Sequence, residues 1–448
     1  MINREAPRPA RAGVMRRRVR LTSGLLALGL LGACDLGLDV TNPNSPTEQS
    51  SLANVDGVIA TSLGMQEQLA ASVLQYVRAP ALVTDEWGTA SRALAADQTL
   101  FTGLGIDASF GVVSEPFYAT YRIARTANAI IERAPQLPGI GEGFAAGLVA
   151  NAKLFKAMSL GYAAMQYEQL PLDASLAGGV PVPREEAFAE VIRLLESARE
   201  DLSDVTDQEL AGFRTRALSP GLDLRNTIDA MLARYYLYTD QYQNAIDAAE
   251  RVNLNIVSEI RYPNPGLNPI HNYSVIAIYV APLRSFVDEA EPGDKRVGFW
   301  VDTLDTPPLG SPPTVLLEPF ERYSGRNDPF PVYLPGEMLL IQAEAYARLG
   351  DLDTAVDYIN LVREKVGSAA APGAALPPVL TSDLDTIEEV LAQIAYERRY
   401  ELFSQGLRWE DLRRLGQYIG REPKADFLPT PQSECITNPN ADCPGSTD

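Results

Sequence analysis

The sequence predicts a mostly α-helical protein built from paired helices, with a loop-rich part that contains only a little β structure. Three observations support this fold class. Apolar residues recur at helical spacing in several long segments. One helical segment has a second, similar copy further along the chain. Strand-like runs are few and short, and 448 residues suffice for one large domain with a substantial core.

Three segments in the first half of the chain have helical patterns. They are Tyr121–Ala134, Asn151–Tyr167 and Glu185–Leu202. In the first segment, Ile123, Ala127 and Ile130 follow one another at the spacing of a helical turn. They form one apolar stripe, so we expect a helix that buries this stripe against a neighbour.

Strand signals are confined to two short runs, and both lie in a stretch that is dense in Pro and Gly. The runs are Tyr273–Val280 and Pro313–Leu317, inside residues 255–335. We predict strands for the two runs and irregular loops or short hairpins around them.

The segments 232–252 and 342–362 resemble each other along their length. In the second copy, Gly350 predicts the end of one helix in a left-handed conformation, and Asp351 or Asp353 can cap the next helix. The apolar stripe of that next helix consists of Leu352, Ala355, Val356, Ile359 and Val362. Each copy is therefore predicted to be a tetratricopeptide-like helix pair, and insertions separate the two pairs.

The composition argues against several classes of function. The chain has 38 basic and 58 acidic residues, and the net charge of −20 repels phosphate backbones, so we expect no nucleic-acid partner. His271 is the only histidine, which leaves a His-based metal site or a Ser-His-Asp triad without support. No Gly-rich phosphate loop is present. We predict no catalytic residues, metal or cofactor, although the many acids leave a two-carboxylate glycosidase open.

The N-terminus has the layout of a secretory signal. An Arg-rich stretch precedes an apolar run over residues 21–31, which is too short to span a bilayer, and small residues precede Cys34. The ending resembles the bacterial lipoprotein box, and the alternative is an ordinary signal peptide with an incidental cysteine. The resemblance implies a signal peptide over residues 1–33, cleavage before Cys34, and a tether over residues 34–50 whose acyl chains, such as palmitate, hold it to a membrane.

The other two cysteines, Cys435 and Cys443, flank a turn-rich stretch near the C-terminus. In an exported protein this arrangement predicts a disulfide. A zinc site would need further ligands, and no histidine lies nearby. We assign residues 51–430 to the helical domain and residues 431–448 to a C-terminal tail that contains the disulfide.

Two C-terminal stretches, Glu337–Gly367 and Ile394–Gly416, together resemble the SusD/RagB family of outer-membrane nutrient-binding lipoproteins. The matching positions of the first stretch are Ala343-Glu344-Ala345, Gly350, Ala355, Ile359-Asn360, Arg363 and Gly367. Those of the second are Glu397-Arg398, Glu401-Leu402, Gly406, Arg408-Trp409, Asp411-Leu412 and Arg414-Leu415-Gly416. Earlier stretches around Asn128, Lys153 and Arg234 agree, so the resemblance covers nearly the whole mature chain.

The resemblance implies a helical body with tetratricopeptide-like pairs and a loop-rich, minor-β face that binds the ligand. It further implies a surface-exposed lipoprotein of the outer membrane that captures a nutrient, often a glycan, and delivers it to a SusC-like TonB-dependent β-barrel. The helical body is the side that usually docks on the barrel, and the protein itself performs no chemistry. Asp35, directly after the lipidated cysteine, leaves open which membrane receives the lipid.

Aromatic residues are the best guide to a glycan site, because sugars stack their C–H faces on flat rings and offer hydroxyls to polar side chains. The candidate ligand-binding residues, all in loop-like sequence, are Asp85, Trp87, Phe299, Trp300, Tyr323 and Arg326. For each ring, burial beneath its own loop is the alternative. Trp409 lies in a helix motif and is expected in the core. The nearby charged residues are expected to form a structural ionic network; they are Glu397, Arg398, Glu401 and Arg408.

The sequence thus favours a substrate-binding lipoprotein that serves a transporter. Two other classes of function remain open. One is a membrane-anchored hydrolase that cleaves glycans, and the other is a helical-repeat scaffold of the envelope that binds no small molecule.

Overall fold

A computed structural model describes residues 51–174, 178–310, 315–441 and 443. All of them belong to one compact unit, Gln49–Asp448. The predicted signal peptide and tether, with Cys34 and Asp35, lie outside the described residues, as does much of the tail beyond residue 441. None of the described helices is both long and apolar enough to cross a bilayer.

Helices dominate the described part of the chain, which confirms the predicted fold class. In chain order they are α1 (Val55–Val83), α2 (Ala95–Thr102), α3 (Gly111–Arg133), α4 (Glu142–Ala164), α5 (Arg184–Glu200), α6 (Asp207–Arg216), α7 (Leu224–Tyr238), α8 (Tyr242–Glu250), α9 (Pro269–His271), α10 (Ser285–Asp288), α11 (Arg296–Trp300), α12 (Pro335–Leu349), α13 (Leu352–Arg363), α14 (Ile387–Glu401), α15 (Arg408–Ile419) and α16 (Gln432–Thr437). Short 3₁₀ turns cover Ala134–Gln136 and Thr381–Asp383, and a π-helical turn covers Asn272–Ile276.

The first helices pack in sequence, α1 on α3, α3 on α4, α4 on α5 and α5 on α7. The apolar stripe predicted for α3 is buried at Ile123, Ala127 and Ile130, as its spacing requires. Helix α4 has apolar residues on all sides and is buried among its neighbours. It approaches α7 closely at Gly161, where a Cβ atom would lie 2.0 Å from the hydroxyl of Tyr235. The three helices predicted in this half are confirmed.

The two predicted helix pairs are α7–α8 and α12–α13, and they lie next to each other because α8 packs on α12. Gly350 ends α12 in the left-handed region with φ of 91°. Asp351, rather than Asp353, caps α13 by accepting a hydrogen bond from the Thr354 amide at 3.1 Å. In the first pair, Asp240 takes the position of Gly350 and has φ of 57°. The copies that insertions separate in sequence are therefore neighbours in space.

The C-terminal helices α14 and α15 pack on each other, and α14 also packs on α12 and α13. The charged residues predicted to form an ionic network here are buried, and Trp409 is in the core as expected. The four residues do not pair with one another, however. Most of them bind oppositely charged partners from other elements; the pairs are Glu397 with Arg296 and Arg363, Arg398 with Asp411, and Glu401 with Lys365. Arg408 donates to the Ala395 carbonyl at 3.3 Å.

The β structure consists of six strands that form three antiparallel pairs in the described residues. The strands are β1 (Trp87–Thr89), β2 (Gln169–Pro171), β3 (Pro181–Pro183), β4 (Glu259–Ile260), β5 (Val280–Pro282) and β6 (Phe330–Pro331). The pairs are β1 with β5, β2 with β3 and β4 with β6. In the first pair Trp87 lies opposite Pro282.

The strand predicted over Tyr273–Val280 is wrong for most of its length. Asn268 caps α9, and Ser274 donates to the carbonyl of Ile270 at 2.8 Å, so the chain continues as helical turns until residue 276. Extended structure begins only at Val280. The second predicted strand, Pro313–Leu317, falls partly outside the described residues. In its described part, Leu316 makes an isolated bridge with Leu309 and Leu317 makes one with Leu283.

Candidate functional site

Three of the four rings expected to face a ligand are in the core. Trp87, Trp300 and Tyr323 are each 0% exposed. They lie close together, since Phe320 packs against both Trp87 and Tyr323 at ring-centroid distances of 5.6 and 5.5 Å, and Trp300 lies 6.4 Å from Tyr323. The prediction that these rings line a ligand site is therefore wrong, because a fully buried ring has no face to offer a sugar.

The buried rings bind the last turn of α14 and the segment that follows it, residues 400–405. The indole nitrogen of Trp87 donates to the Ser404 hydroxyl at 2.8 Å, and that of Trp300 donates to the Tyr400 carbonyl at 2.9 Å. The side-chain amide of Gln405 donates to the Tyr323 hydroxyl at 3.1 Å. Buried indole N–H groups need such partners. These hydrogen bonds hold Trp87, Trp300 and Tyr323 against residues 400–405, so the three rings have a structural role.

The three other candidate residues are more accessible but already have partners. Asp85 forms an ion pair with Lys424. The ring of Phe299 is half-buried, and the guanidinium of Arg322 lies 5.4 Å from its centroid. Arg326 is exposed and donates to a backbone carbonyl at 3.3 Å. The structure does not join these residues into one open site.

Asp85 does border a cavity of about 520 Å³. The charges in this cavity are largely balanced among themselves. Arg284 pairs with Asp288 at 2.8 Å, and Arg421 pairs with Glu289. The aromatic ring in its wall, Phe101, is buried. This cavity therefore offers no open ring for stacking and few charges that a ligand could satisfy.

A second cavity, of about 440 Å³, has an exposed ring at its edge. Tyr118 is the only aromatic side chain among the described residues that is exposed, with 39% of its surface accessible. We call this cavity the Tyr118 pocket. Its walls come from α3, from the loop after β2 and from α16; the lining residues are Phe117, Tyr118, Tyr121, Arg122, Arg125, Pro171, Asp173, Ala174, Gly178, Gly179, Glu434, Thr437 and Asn438.

The α3 wall of the pocket is held in place by aromatic packing. Phe117 is buried and packs edge-on against Tyr167 at 5.5 Å and against Tyr121 at 4.6 Å. The hydroxyl of Tyr121 donates to the carbonyl of Pro171 at 2.6 Å, which ties α3 to the end of β2. Tyr118 lies one residue further round the helix than Phe117, so its ring points outward while its neighbour fixes the backbone.

The opposite wall is held by Asn438, which is buried. Its side-chain amide donates to the Gly179 carbonyl at 2.8 Å and to Glu434 at 2.6 Å. Gly178 has φ of 79°, and a Cβ atom there would lie 2.5 Å from the Asn438 side-chain oxygen, so a glycine is required. Cys435 and Cys443 are joined by a disulfide with a Cα–Cα distance of 5.8 Å, which closes the chain just after α16.

The electrostatics of the pocket keep its tyrosines as neutral hydrogen-bonding groups. Burial raises the pKa of Tyr121 well above 10, and the charge of Glu434 raises it further. The same two causes raise the pKa of Tyr118. Ring faces, phenol hydroxyls, guanidinium groups and carboxylates therefore meet in one concave surface, which is the combination a polar, ring-containing ligand needs.

The structure describes no group of three or more His, Cys, Asp or Glu residues that could hold a metal ion. His271 is buried at α9, and its Nδ1 lies 3.0 Å from the carbonyl oxygen of Tyr323. His271 thus packs against the loop that contains Tyr323 and does not line the Tyr118 pocket.

Comparisons with known proteins agree on one family. Residues 320–439 match the sequence model of the SusD family. A SusD-like protein of Formosa agariphila is 33% identical over 84 residues, which cover 18% of this chain and 16% of that relative. The resemblance to the SusD family is confirmed.

Solved structures of the SusD superfamily share the fold over most of the chain. A SusD-like protein of Bacteroides fragilis has a TM-score of 0.66 at 14% identity and covers 90% of this chain and 100% of its own. A SusD-like carbohydrate binding protein of Bacteroides vulgatus has a TM-score of 0.59 at 15% identity, over 79% of this chain and 83% of its own. The similarity is therefore one of architecture.

The segment that matches the SusD family contributes the α16 wall of the Tyr118 pocket, including Glu434 and Asn438. The α3 wall of the pocket was not predicted, because the sequence of α3 was interpreted only as a helix packed against the core. A signal was present, because Tyr118, Arg122 and Arg125 recur at helical spacing opposite the apolar stripe. An aromatic residue and two arginines on the solvent face of a SusD-like helix were the pattern to notice.

Proposed function

We propose that this SusD-like protein binds a glycan in the Tyr118 pocket. The observation that carries the proposal is the single exposed ring of the described chain, which stands at the edge of a cavity with hydrogen-bonding side chains. A sugar would stack its C–H face on Tyr118 and direct hydroxyls to the polar groups behind it. A structural neighbour is described as a carbohydrate binding protein, which supports the ligand class.

The wider role we propose is that of a lipoprotein of the outer membrane. Acyl chains on Cys34 would hold the protein at the cell surface, and it would pass its ligand to a SusC-like TonB-dependent β-barrel. The lipoprotein-box resemblance and the SusD family match support this role. In this role the protein binds and releases its ligand without cleaving it.

The test of the site is a substitution at Tyr118. Replacing Tyr118 by Ala should weaken glycan binding about tenfold or more, on the order of 1–2 kcal/mol, because the stacking surface is lost. Tyr118→Phe keeps the ring and should retain most of the affinity. Tyr242→Ala, on a different helix, is the matched control and should bind normally. Titration calorimetry against a panel of oligosaccharides measures all four proteins.

The fold should survive the Tyr118→Ala change, since the side chain is exposed, and thermal unfolding checks this. Unchanged affinity of the folded Tyr118→Ala protein for every glycan would remove the pocket from the proposal. Release of shorter sugars during incubation with the wild-type protein would instead indicate a hydrolase.

A further inference from the structure

We infer that the Tyr118 pocket selects saccharides that carry a carboxylate group, such as uronic acids, and that Arg122 is the residue that recognises this group. The inference rests on the proposed function and specifies its substrate class. Two observations support it. One is the arrangement of Tyr118 and the arginines along α3, and the other is which charged side chains of the pocket already have interaction partners.

Tyr118 and Arg122 are four positions apart on α3, so their side chains are neighbours on one face of the helix. Such positions are roughly 5–6 Å apart between Cβ atoms. Both residues line the pocket, and both are exposed. A single sugar ring stacked on Tyr118 can therefore place a substituent against the guanidinium of Arg122.

Arg122 forms no ion pair within the described part of the chain. Its side chain makes no hydrogen bond or ion pair with any residue that the structure describes. Arg125 and Asp173, which line the same cavity, each already have an interaction partner. Glu434 accepts a hydrogen bond from Asn438 at 2.6 Å. Arg122 is thus the cation of the pocket that an anionic group of a ligand can still pair with.

The acidic composition of the chain makes the lack of an ion pair at Arg122 more significant. The chain carries a net charge of −20, so acidic partners are abundant, and yet none of the acids that the structure describes pairs with Arg122. A guanidinium that faces a concave surface beside an open ring is positioned for an anion. The long-range field of the acidic protein disfavours anions in general, so the local contact must supply the selectivity.

A carboxylate fits this contact better than a larger anion. One guanidinium satisfies both oxygens of a carboxylate through two parallel hydrogen bonds. A sulfate ester has three terminal oxygens, and the third would lie in a cavity that also contains Asp173 and Glu434. The pocket therefore favours a compact carboxylate that the single free arginine can neutralise.

The experiment compares three ligands on the purified full chain by titration calorimetry. They are a short oligogalacturonide, its carboxyl-reduced neutral counterpart of the same length, and a sulfated neutral oligosaccharide. We expect the acidic sugar to bind about tenfold tighter than the neutral one, as is typical for hydrogen bonds to a charged group. The preference should shrink at high salt.

Arg122→Gln should abolish this preference, so that the acidic sugar binds no more tightly than its neutral counterpart. Arg122→Lys keeps the charge but not the paired hydrogen bonds, so it should retain only part of the preference. Arg326→Gln, at an exposed arginine outside the cavity, is the control and should behave as the wild type.

Three results would overturn the inference. They are equal binding of the acidic and neutral sugars by the wild type, a preference for the sulfated sugar, or an Arg122→Gln protein that keeps the wild-type preference. In each case a Tyr118→Ala protein that binds all sugars weakly would leave the proposed function standing. A Tyr118→Ala protein with undiminished binding would remove the proposed glycan site itself.

Discussion

At the scale of single residues, Glu86 is the buried acid with the most unusual surroundings. It lies between Asp85 and Trp87 and is 3% exposed. One carboxylate oxygen accepts a hydrogen bond from the Ser404 amide at 3.1 Å, and the other has no hydrogen-bond partner. Burial raises the pKa of Glu86 from 4.5 to about 7, against the opposing effects of the Ser404 amide and of Arg408.

This pKa predicts a pH dependence of stability. Because the folded state holds the proton more tightly than the unfolded state, the contribution of Glu86 is fully present below pH 4.5 and is lost as the pH rises through about 7. Glu86→Gln has no proton to lose. Its stability relative to the wild type should therefore increase between pH 5 and pH 8, by an amount on the order of 2–3 kcal/mol.

Denaturant unfolding of both proteins at several pH values measures this difference. The other charges near Glu86, namely Arg408, Asp411 and Arg399, are present in both proteins, so the comparison isolates the carboxyl. A stability difference that stays constant across the range would contradict the prediction.

Single residues also show where sequence reasoning about the site failed. Trp87 and Trp300 both lie in loop-like sequence with an acidic residue nearby, and this local pattern predicted exposed rings. Their burial depends on Tyr400 and Ser404, hundreds of positions away in the case of Trp87, and no local pattern encodes that contact. Tyr118 is the converse case. It lies three residues before the predicted helix Tyr121–Ala134, and its outward direction follows from the helical period once the helix begins at Gly111.

At the scale of elements, the helices were predictable because periodicity alone specifies them. The repeat and the helix stop at Gly350 were predicted from sequence and are confirmed. The sequence left the cap of α13 open between Asp351 and Asp353, and the structure selects Asp351. The strand over Tyr273–Val280 was not predictable in this way. Its apolar residues satisfy strand and helix patterns alike, and the Asn268 cap decides for helical turns.

The helix stop at Gly350 offers a prediction about backbone conformation. Gly350 has φ of 91°, and a Cβ atom there would meet nothing within 4 Å. Gly350→Ala should therefore cost only the left-handed strain of an L-residue, about 1–2 kcal/mol. The matched control is Gly64→Ala inside α1, where the added Cβ also meets nothing. That change should stabilise the protein by about 0.5–1 kcal/mol.

Thermal and denaturant unfolding of the two variants gives opposite signs if this account is correct. Equal effects of the two alanines would show that the conformation at Gly350 is not what limits substitution there.

At the scale of the whole molecule, the SusD fold and the proposed anchor predict a defined cellular behaviour. The full chain should fractionate with the outer membrane, and in mild detergent it should co-purify with a large β-barrel protein. Cys34→Ser removes the sulfur that would carry the lipid, so this variant should leave the membrane fraction. Its predicted signal region is otherwise unchanged.

Two results would count against this role. Recovery of the wild-type protein in the inner membrane would indicate that Asp35 directs its sorting. If the protein is purified from the outer membrane without a β-barrel partner, the proposed delivery to a transporter is contradicted. If that protein still binds a glycan, the capture step of the proposed role stands alone.

The contacts of Trp87, Trp300 and Tyr323 with residues 400–405 also constrain how the protein folds during synthesis. A ribosome makes the N-terminus first, and Trp87 must wait for Ser404, 317 positions later, before its indole has a partner. Contacts of such sequence separation form slowly and leave apolar surface uncovered in the meantime. A nascent chain interrupted before residue 400 would hold complete helices and an unfinished core, so productive folding is a property of the finished polypeptide.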